Sequence, residues 1–238
     1  MNIALIGYGK MGKAIEEIAI ARGHTIVLKI NDENLQDFTK EKVSKADVAI
    51  EFTSPHSAFD NVKKLLGYGT PVVCGSTGWT EKIGEINDYC NKQNGSFLYA
   101  SNFSVGVNIF FELNKKLAAL MSPHAEYEVS MEEIHHTQKK DAPSGTAITL
   151  AEQILKEVPR KTKWVNNPAT AASDLPIISK REDPAPGTHS IKYSSSIDDI
   201  EIIHTAHNRQ GFALGAVLAA EFIKDKKGVF SMQQVLGL

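Results

Sequence analysis

Met1 to Gly12 reads MNIALIGYGKMG, a short apolar run from Asn2 to Ile6 followed by glycines at 7, 9 and 12. The run suits a buried strand, and the glycines fall in the order G-x-G-x-x-G. In that order Gly7 permits a tight turn, Gly9 lets the backbone approach a pyrophosphate, and Gly12 lets helix and strand pack closely. Met11 to Gly23 (MGKAIEEIAIARG) then carries apolar residues at helical spacing and closes on glycine, and Thr25 to Ile30 reads as a second strand. Such a triplet can also be a tight turn and nothing more. Its place after an N-terminal strand and before an amphipathic helix is what supports the dinucleotide reading. Gly7, Tyr8, Gly9, Lys10, Met11 and Gly12 are therefore candidate cofactor contacts.

The end of the second strand reads the adenosine ribose: an acid there hydrogen-bonds the hydroxyls of NAD, and a nearby arginine accommodates the 2′-phosphate of NADP. The residues here are Asn31, Asp32 and Glu33, with Lys29 just before them. Asp32 favours ribose hydroxyls, Lys29 could offset a 2′-phosphate, and comparable use of NADH and NADPH is the expectation. Asp47 to Phe52 and Thr70 to Gly75 repeat the strand pattern, with a helix expected at Ser57 to Gly67 between them. Ligands of an open parallel sheet bind at the carboxyl ends of its strands. Phe52-Thr53, Gly75-Ser76-Thr77-Gly78 and Ala100-Ser101-Asn102-Phe103 should thus converge on one crevice.

Past Asn102 the rhythm changes. Val105 to Leu120 is one long helical pattern, and Glu126 to Ile134, His189 to Ser194 and Asp199 to Ala206 read as strands without helices between them, an open antiparallel or mixed sheet. Lys161 to Gly187, rich in Pro, Ala, Asn and Ser, reads as a long excursion from that sheet. Phe212 to Lys224 is a last helix, expected to pack back on the first domain. The fold class is α/β: a Rossmann-like, doubly wound parallel sheet plus an α+β domain with an open mixed sheet. The expected boundaries are residues 1–104 with 209–238 for dinucleotide binding and 105–208 for substrate binding and oligomerisation.

With 238 residues, 42% hydrophobic and 23% charged, the chain is long enough for two modest cores. A formal net charge of -2 gives no reason to expect nucleic acid, so small molecules are the expected partners. There is no basic segment leading into a long apolar run and no stretch to span a bilayer, so a cytoplasmic location is expected. Cys74 and Cys90 do not make a disulfide framework, and Cys74 follows an apolar run like a small buried hydrophobe.

Glu132 to Ala147 (EEIHHTQKKDAPSGTA) is the stretch densest in groups that move protons. His135 and His136 can titrate near neutrality, Lys139 and Lys140 can stabilise a developing anion, and Asp141 offers a counter-ion. Ser144, Gly145 and Thr146 open a helix whose unpaired N–H groups suit a carboxylate or phosphate. Solvated histidines and a plain helix cap are the competing account. No cysteine lies near and no second histidine stands at helical spacing, which argues against a metal site.

Together with GYGKMG, EFT, GSTG, SNFSVGVN and HTAHNRQGFALGA, in that order, this stretch resembles the 4-hydroxy-tetrahydrodipicolinate reductase family, over nearly the whole chain. The resemblance implies NADH- or NADPH-dependent reduction of a cyclic imino dicarboxylate in diaminopimelate and lysine biosynthesis. It also implies a homotetramer built through the second domain's sheet. It makes His135 and Lys139 the proton donors and places His136, Gly145 and Thr146 on the substrate carboxylates. Gly7 to Gly12 would hold the pyrophosphate, Gly75, Ser76, Thr77 and Ala100, Ser101, Asn102, Phe103 would line the nicotinamide side, and Asp32 would read the ribose. Closure of the two domains is expected to exclude water. The family often shows Glu-Arg where Asn31-Asp32 stands, and a threonine where Ser76 stands; Lys140 replaces a frequent apolar residue, and the region from Lys161 to His189 is shorter than in many members. Arg209 falls where the second domain returns to the first. An amino-acid dehydrogenase could share GYGKMG but has no use for HHTQKKDAPSGT, and a non-catalytic NAD(P)H-binding redox sensor would not need His135 and Lys139 beside an anion site.

Overall fold

The computed structural model describes residues 1–208 and 210–238, so Arg209 lies outside the described residues. The chain divides into two compact units, Met1–Val105 with Arg209–Leu238, and Gly106–Asn208.

The first unit alternates strand and helix: β1 (Asn2–Ile6), α1 (Lys10–Ala21), β2 (Thr25–Ile30), α2 (Lys40–Val43), β3 (Val48–Glu51), α3 (Ala58–Gly67), β4 (Val72–Cys74), α4 (Ile83–Lys92) and β5 (Ser96–Tyr99). The second unit follows with α5 (Val105–Met121), β6 (Glu128–His135), α6 (Gly145–Glu157), β7 (Lys163–Val165), β8 (Asp174–Arg181), β9 (Gly187–Ser194) and β10 (Asp199–Ala206). The chain then returns to the first unit through α7 (Gln210–Ile223), β11 (Gly228–Phe230) and α8 (Met232–Leu236).

The first sheet is parallel, in the order β11-β5-β4-β3-β1-β2. Successive side chains on a strand point to opposite faces. Ala4 and Ile6 therefore join a core with Val62 and Leu65 of α3 and Ile86 of α4. Ile3 and Leu5 join another with Ile15 of α1 and Ala216 and Val217 of α7. Both faces are covered, which is why these strands read as continuous apolar runs rather than alternating ones. The chain leaves β1 toward β2 on one side and returns to β3 on the other, so the direction of winding reverses at β1 and β3.

The second unit's sheet runs β10-β9-β6-β8-β7. Val129 and Met131 on β6, Leu175 and Ile177 on β8, and Ile191 and Tyr193 on β9 meet α5 and α6 in a third core. The segment expected to be an excursion from this sheet in fact supplies two of its strands, and β8 pairs parallel with the central β6 from Met131↔Ile177 to His135↔Arg181. Strands β6, β9 and β10 pair antiparallel, so the sheet is mixed.

Candidate active site

Two groups of predicted residues gather at the carboxyl ends of the first unit's strands. Gly7, Tyr8, Gly9 and Asp32 line a cavity of about 510 Å³, with Asn31 and Phe38 beside the ends of β1 and β2 and Phe52, Thr53 and Asn61 beside the end of β3. This is where the winding reverses, the position at which open α/β sheets bind ligands. Met11, Gly75, Ser76 and Thr77 line a second cavity of about 200 Å³ that shares Phe52, Thr53 and Ser54 with the first.

Local geometry explains the glycines. Gly7 has φ +97°, and a Cβ there would stand 2.0 Å from the Phe52 carbonyl oxygen, so no other residue fits the turn. A Cβ at Gly9 would meet nothing within 4 Å, which leaves the start of α1 open. No acidic side chain stands in the first turn of α1, so the positive end of the helix is uncompensated and suits a diphosphate. Gly12 is buried under the turn, and Lys10 is exposed at the helix start. Ala100, Ser101, Asn102 and Phe103 follow β5, next to β4 in the sheet, but line neither cavity; the Phe103 ring is buried in the core, 5.6 Å from that of Phe52. Asp32 is exposed, whereas the Lys29 ammonium lies 2.6 Å from Glu16 and 4.8 Å from the Tyr8 ring centre. The Glu16 carboxylate beside it raises the Lys29 pKa, so this cation is already paired.

In the second unit His135 ends β6, and the loop after it carries Lys139 to the start of α6. Val129, Met131, Glu133 and His135 occupy alternate, inward positions of β6, which buries a carboxylate and an imidazole at the end of an apolar row. Lys139 Nζ lies 2.8 Å from Asp141 Oδ2, and this ammonium holds the Asp141 carboxyl below the usual carboxylate range. Ser144 caps α6 by accepting from the Ala147 N–H, and the first turn holds no acidic side chain. A Cβ at Gly145 would meet nothing within 4 Å, so glycine is not required there by crowding from the rest of the fold. His136 is half-buried and Lys140 exposed.

Three residues that the sequence reading did not single out complete this cluster. Glu133, fully buried, accepts from Arg181 Nη2 of β8 at 3.1 Å and from the Ser144 N–H at 3.1 Å. Its Oε2 lies 3.3 Å from His135 Nδ1 and 3.9 Å from His189 Nε2. The His135 contact is an ion-pair distance that lies off the line of a hydrogen bond. Burial works to raise the Glu133 pKa, but the contacts to His135 and Ser144 outweigh it and hold the carboxyl well below its ordinary range. Burial, then the neighbouring His135, pushes His189 down to about 4. Sequence spacing gave no sign of these partners, because β8 and β9 bring them. Glu133, His135 and His189 each offer a ligand atom within 4.8 Å of the others, a donor set of the kind that takes zinc. Arg181 on Glu133 and the Ser144 hydroxyl, 3.1 Å from His189 Nε2, compete for the same groups, so this set reads as a hydrogen-bonded network.

A glycine-turned crevice at the reversal of a parallel sheet, with a histidine, a lysine and a helix start gathered in a second unit, is the build of an NAD(P)H-dependent oxidoreductase. Residues 1–103 match the family model for the dihydrodipicolinate reductase N-terminus, and residues 106–236 that for its C-terminus. The chain belongs to the dihydrodipicolinate reductase family. It is 52% identical over 240 residues to 4-hydroxy-tetrahydrodipicolinate reductase of Christiangramia forsetii, covering 99% of this chain and 98% of that one. It is 35% identical to the enzyme of the same name from Methanosarcina acetivorans, covering 99% and 89%. In fold it is similar to the dipicolinate-bound dihydrodipicolinate reductase of Paenisporosarcina sp. TG-14, with a TM-score of 0.78, 24% identity and 98% of both chains covered. Among the described residues no helix is long and apolar enough to cross a membrane.

Proposed function

We propose that this chain reduces 4-hydroxy-tetrahydrodipicolinate to tetrahydrodipicolinate with loss of water, at the expense of NADH or NADPH, on the route to diaminopimelate and lysine. It works in the cytoplasm as a homotetramer. The observation that carries the reading is one continuous stretch holding a buried imidazole, a lysine ammonium and a helix start without acidic side chains, His135, Lys139 and Gly145-Thr146. In the proposed division, residues 1–104 with 209–238 bind the dinucleotide, and residues 105–208 bind the substrate and join the copies.

Gly7 to Gly12 hold the pyrophosphate against the start of α1, Asp32 accepts from the ribose hydroxyls, and Gly75, Ser76, Thr77 and Ala100 to Phe103 flank the nicotinamide. When bound, the nicotinamide supplies the hydride. The N–H groups at Gly145 and Thr146, with the His136 ring, hold the substrate carboxylates. Loss of water conjugates the ring. Hydride addition then displaces an electron pair onto it, and His135 donates the proton that forms the new bond. Lys139 stabilises the negative charge while it develops and shares the proton-donor role.

Turnover is followed as oxidation of NADH and of NADPH with freshly made substrate. Removing a positioned acid costs on the order of a hundredfold to ten-thousandfold in rate, so His135→Gln and Lys139→Ala should each lower kcat by about that much with smaller effects on KM. Since both serve one charge transfer, the double variant should lose less than the product of the single losses. Near-normal kcat in His135→Gln would remove it from the chemistry. Cofactor binding without turnover in the unaltered protein would favour a redox sensor.

A further inference from the structure

Glu133 is a charged residue in an apolar row, and burying an ionised carboxylate is costly unless every side of it is answered. Arg181 Nη2 answers Oε1 at 3.1 Å, the Ser144 N–H answers Oε2 at 3.1 Å, and His135 Nδ1 faces Oε2 at 3.3 Å. Arg181 does more than neutralise it: Nε donates to the Lys139 carbonyl at 3.2 Å and Nη2 to the Asp141 carbonyl at 2.6 Å. One carboxylate therefore touches the imidazole of His135 directly and, through Arg181, the backbone that carries Lys139. On the far side of the imidazole, a Cβ at Gly187 would stand 3.1 Å from His135 Nε2, so glycine leaves that nitrogen uncrowded. Among the described residues Nδ1 of His135 has no in-line hydrogen-bond partner, and Glu133 is the acceptor that faces it.

We propose that Glu133 is the positioning residue of the proton-donating pair: it keeps a proton on Nδ1 of His135, so that the proton given to substrate leaves from Nε2, and with Arg181 it fixes the loop that presents Lys139. In the step itself the Nε2–H bond breaks, the substrate gains that proton on the electron pair displaced by hydride, and the ring is left as the Nδ1–H tautomer beside the carboxylate. A buried acid that orients an imidazole and selects its tautomer is a known device of general acid–base sites. The proposal rests on the reading of His135 as proton donor.

The test uses the full-length enzyme labelled with 15N-histidine. At alkaline pH the spectrum of the neutral His135 ring should show the Nδ1–H tautomer, and in Glu133→Gln the proton should redistribute toward Nε2. The same variant should lose roughly tenfold to a thousandfold in kcat, with KM and NADH affinity changed less than about threefold. Glu133→Asp, which keeps the charge but shortens the reach, should fall between. The unaltered enzyme's spectrum is informative even where Glu133→Gln folds poorly. An Nε2–H tautomer there, or unchanged kcat and tautomer in a folded Glu133→Gln, overturns the positioning role while leaving His135 as donor. Full kcat in His135→Gln overturns the donor reading and this proposal with it.

Discussion

Lys29 is the cation next to the Asp32 end of β2 that could offset a 2′-phosphate, yet Glu16 holds its ammonium at 2.6 Å and the Tyr8 ring lies beneath it. Asp32, exposed in the same crevice, is left to face the ribose. The free cation on which comparable use of both cofactors depended is therefore engaged, and NADH should be preferred. Two unit charges at 4 Å in water repel by about 1 kcal/mol, and more where solvent is partly excluded, so the preference in kcat/KM should be roughly fivefold or greater. Glu16→Gln frees Lys29 and should narrow it. An unchanged ratio in that variant would mean that Lys29 does not approach the phosphate. Residues such as Asp32, His135 and Lys139 could be proposed from the sequence because their chemistry lies in short runs. The pairing of Lys29 with Glu16, and of Glu133 with Arg181 and His189, was not, because it depends on which side chains neighbouring elements bring together.

Elements were legible where periodicity was strong. The strands at Asn2–Ile6, Thr25–Ile30 and Asp199–Ala206 have the expected bounds, and Gly145 opens α6. Strand β8 was missed for a local reason: Pro176 interrupts it, and proline in a run argues against a paired strand. Its partnership with β6 begins at Ile177, just past the proline. Parallel pairing also joins strands distant in sequence, which leaves no hairpin signature. The start of α6 has a testable consequence. Gly145→Val would place its Cβ where nothing beyond the adjoining chain and the helix's own backbone lies within 4 Å, so the fold should tolerate it while the carboxylate site narrows. Losing one charge-assisted hydrogen bond costs about 1.5–3 kcal/mol, or roughly ten- to a hundredfold in substrate affinity. NADH affinity, measured by calorimetric titration, should stay unchanged. A parallel loss of NADH binding would refute the division of the two sites between units.

At the scale of the whole molecule, the buried cluster ties stability to pH. His189 titrates near 4 when folded against 6.5 in its ordinary state, so between those values the unfolded chain binds the extra proton, and stability falls as pH drops from 6.5 to 4. That shift corresponds to about 3 kcal/mol. Glu133, whose folded pKa is depressed, adds a further loss below the ordinary carboxylate range. His189→Gln should flatten the loss between pH 6.5 and 4 in denaturant titrations, and a flat profile in the unaltered protein would exclude it. The proposed tetramer has its own signature. Strand β10 is an edge, and Ile203 on it is 59% exposed, with Ile197 in the preceding turn 85% exposed. Ile203 lies opposite Ser190 on the face of the sheet turned away from the Ile191 and Tyr193 core. A long edge strand with exposed isoleucines invites further association unless it is covered, and a second copy of this chain would cover it. Burying one isoleucine contributes about 1.5–3 kcal/mol per copy, and lysine at the same place adds the cost of burying an ammonium. Sedimentation of the unaltered protein at micromolar concentration should give a tetramer, and Ile203→Lys should give smaller species with near-normal NADH affinity. A tetramer that survives Ile203→Lys would move the interface off β10, and a monomeric unaltered protein would remove the tetramer altogether.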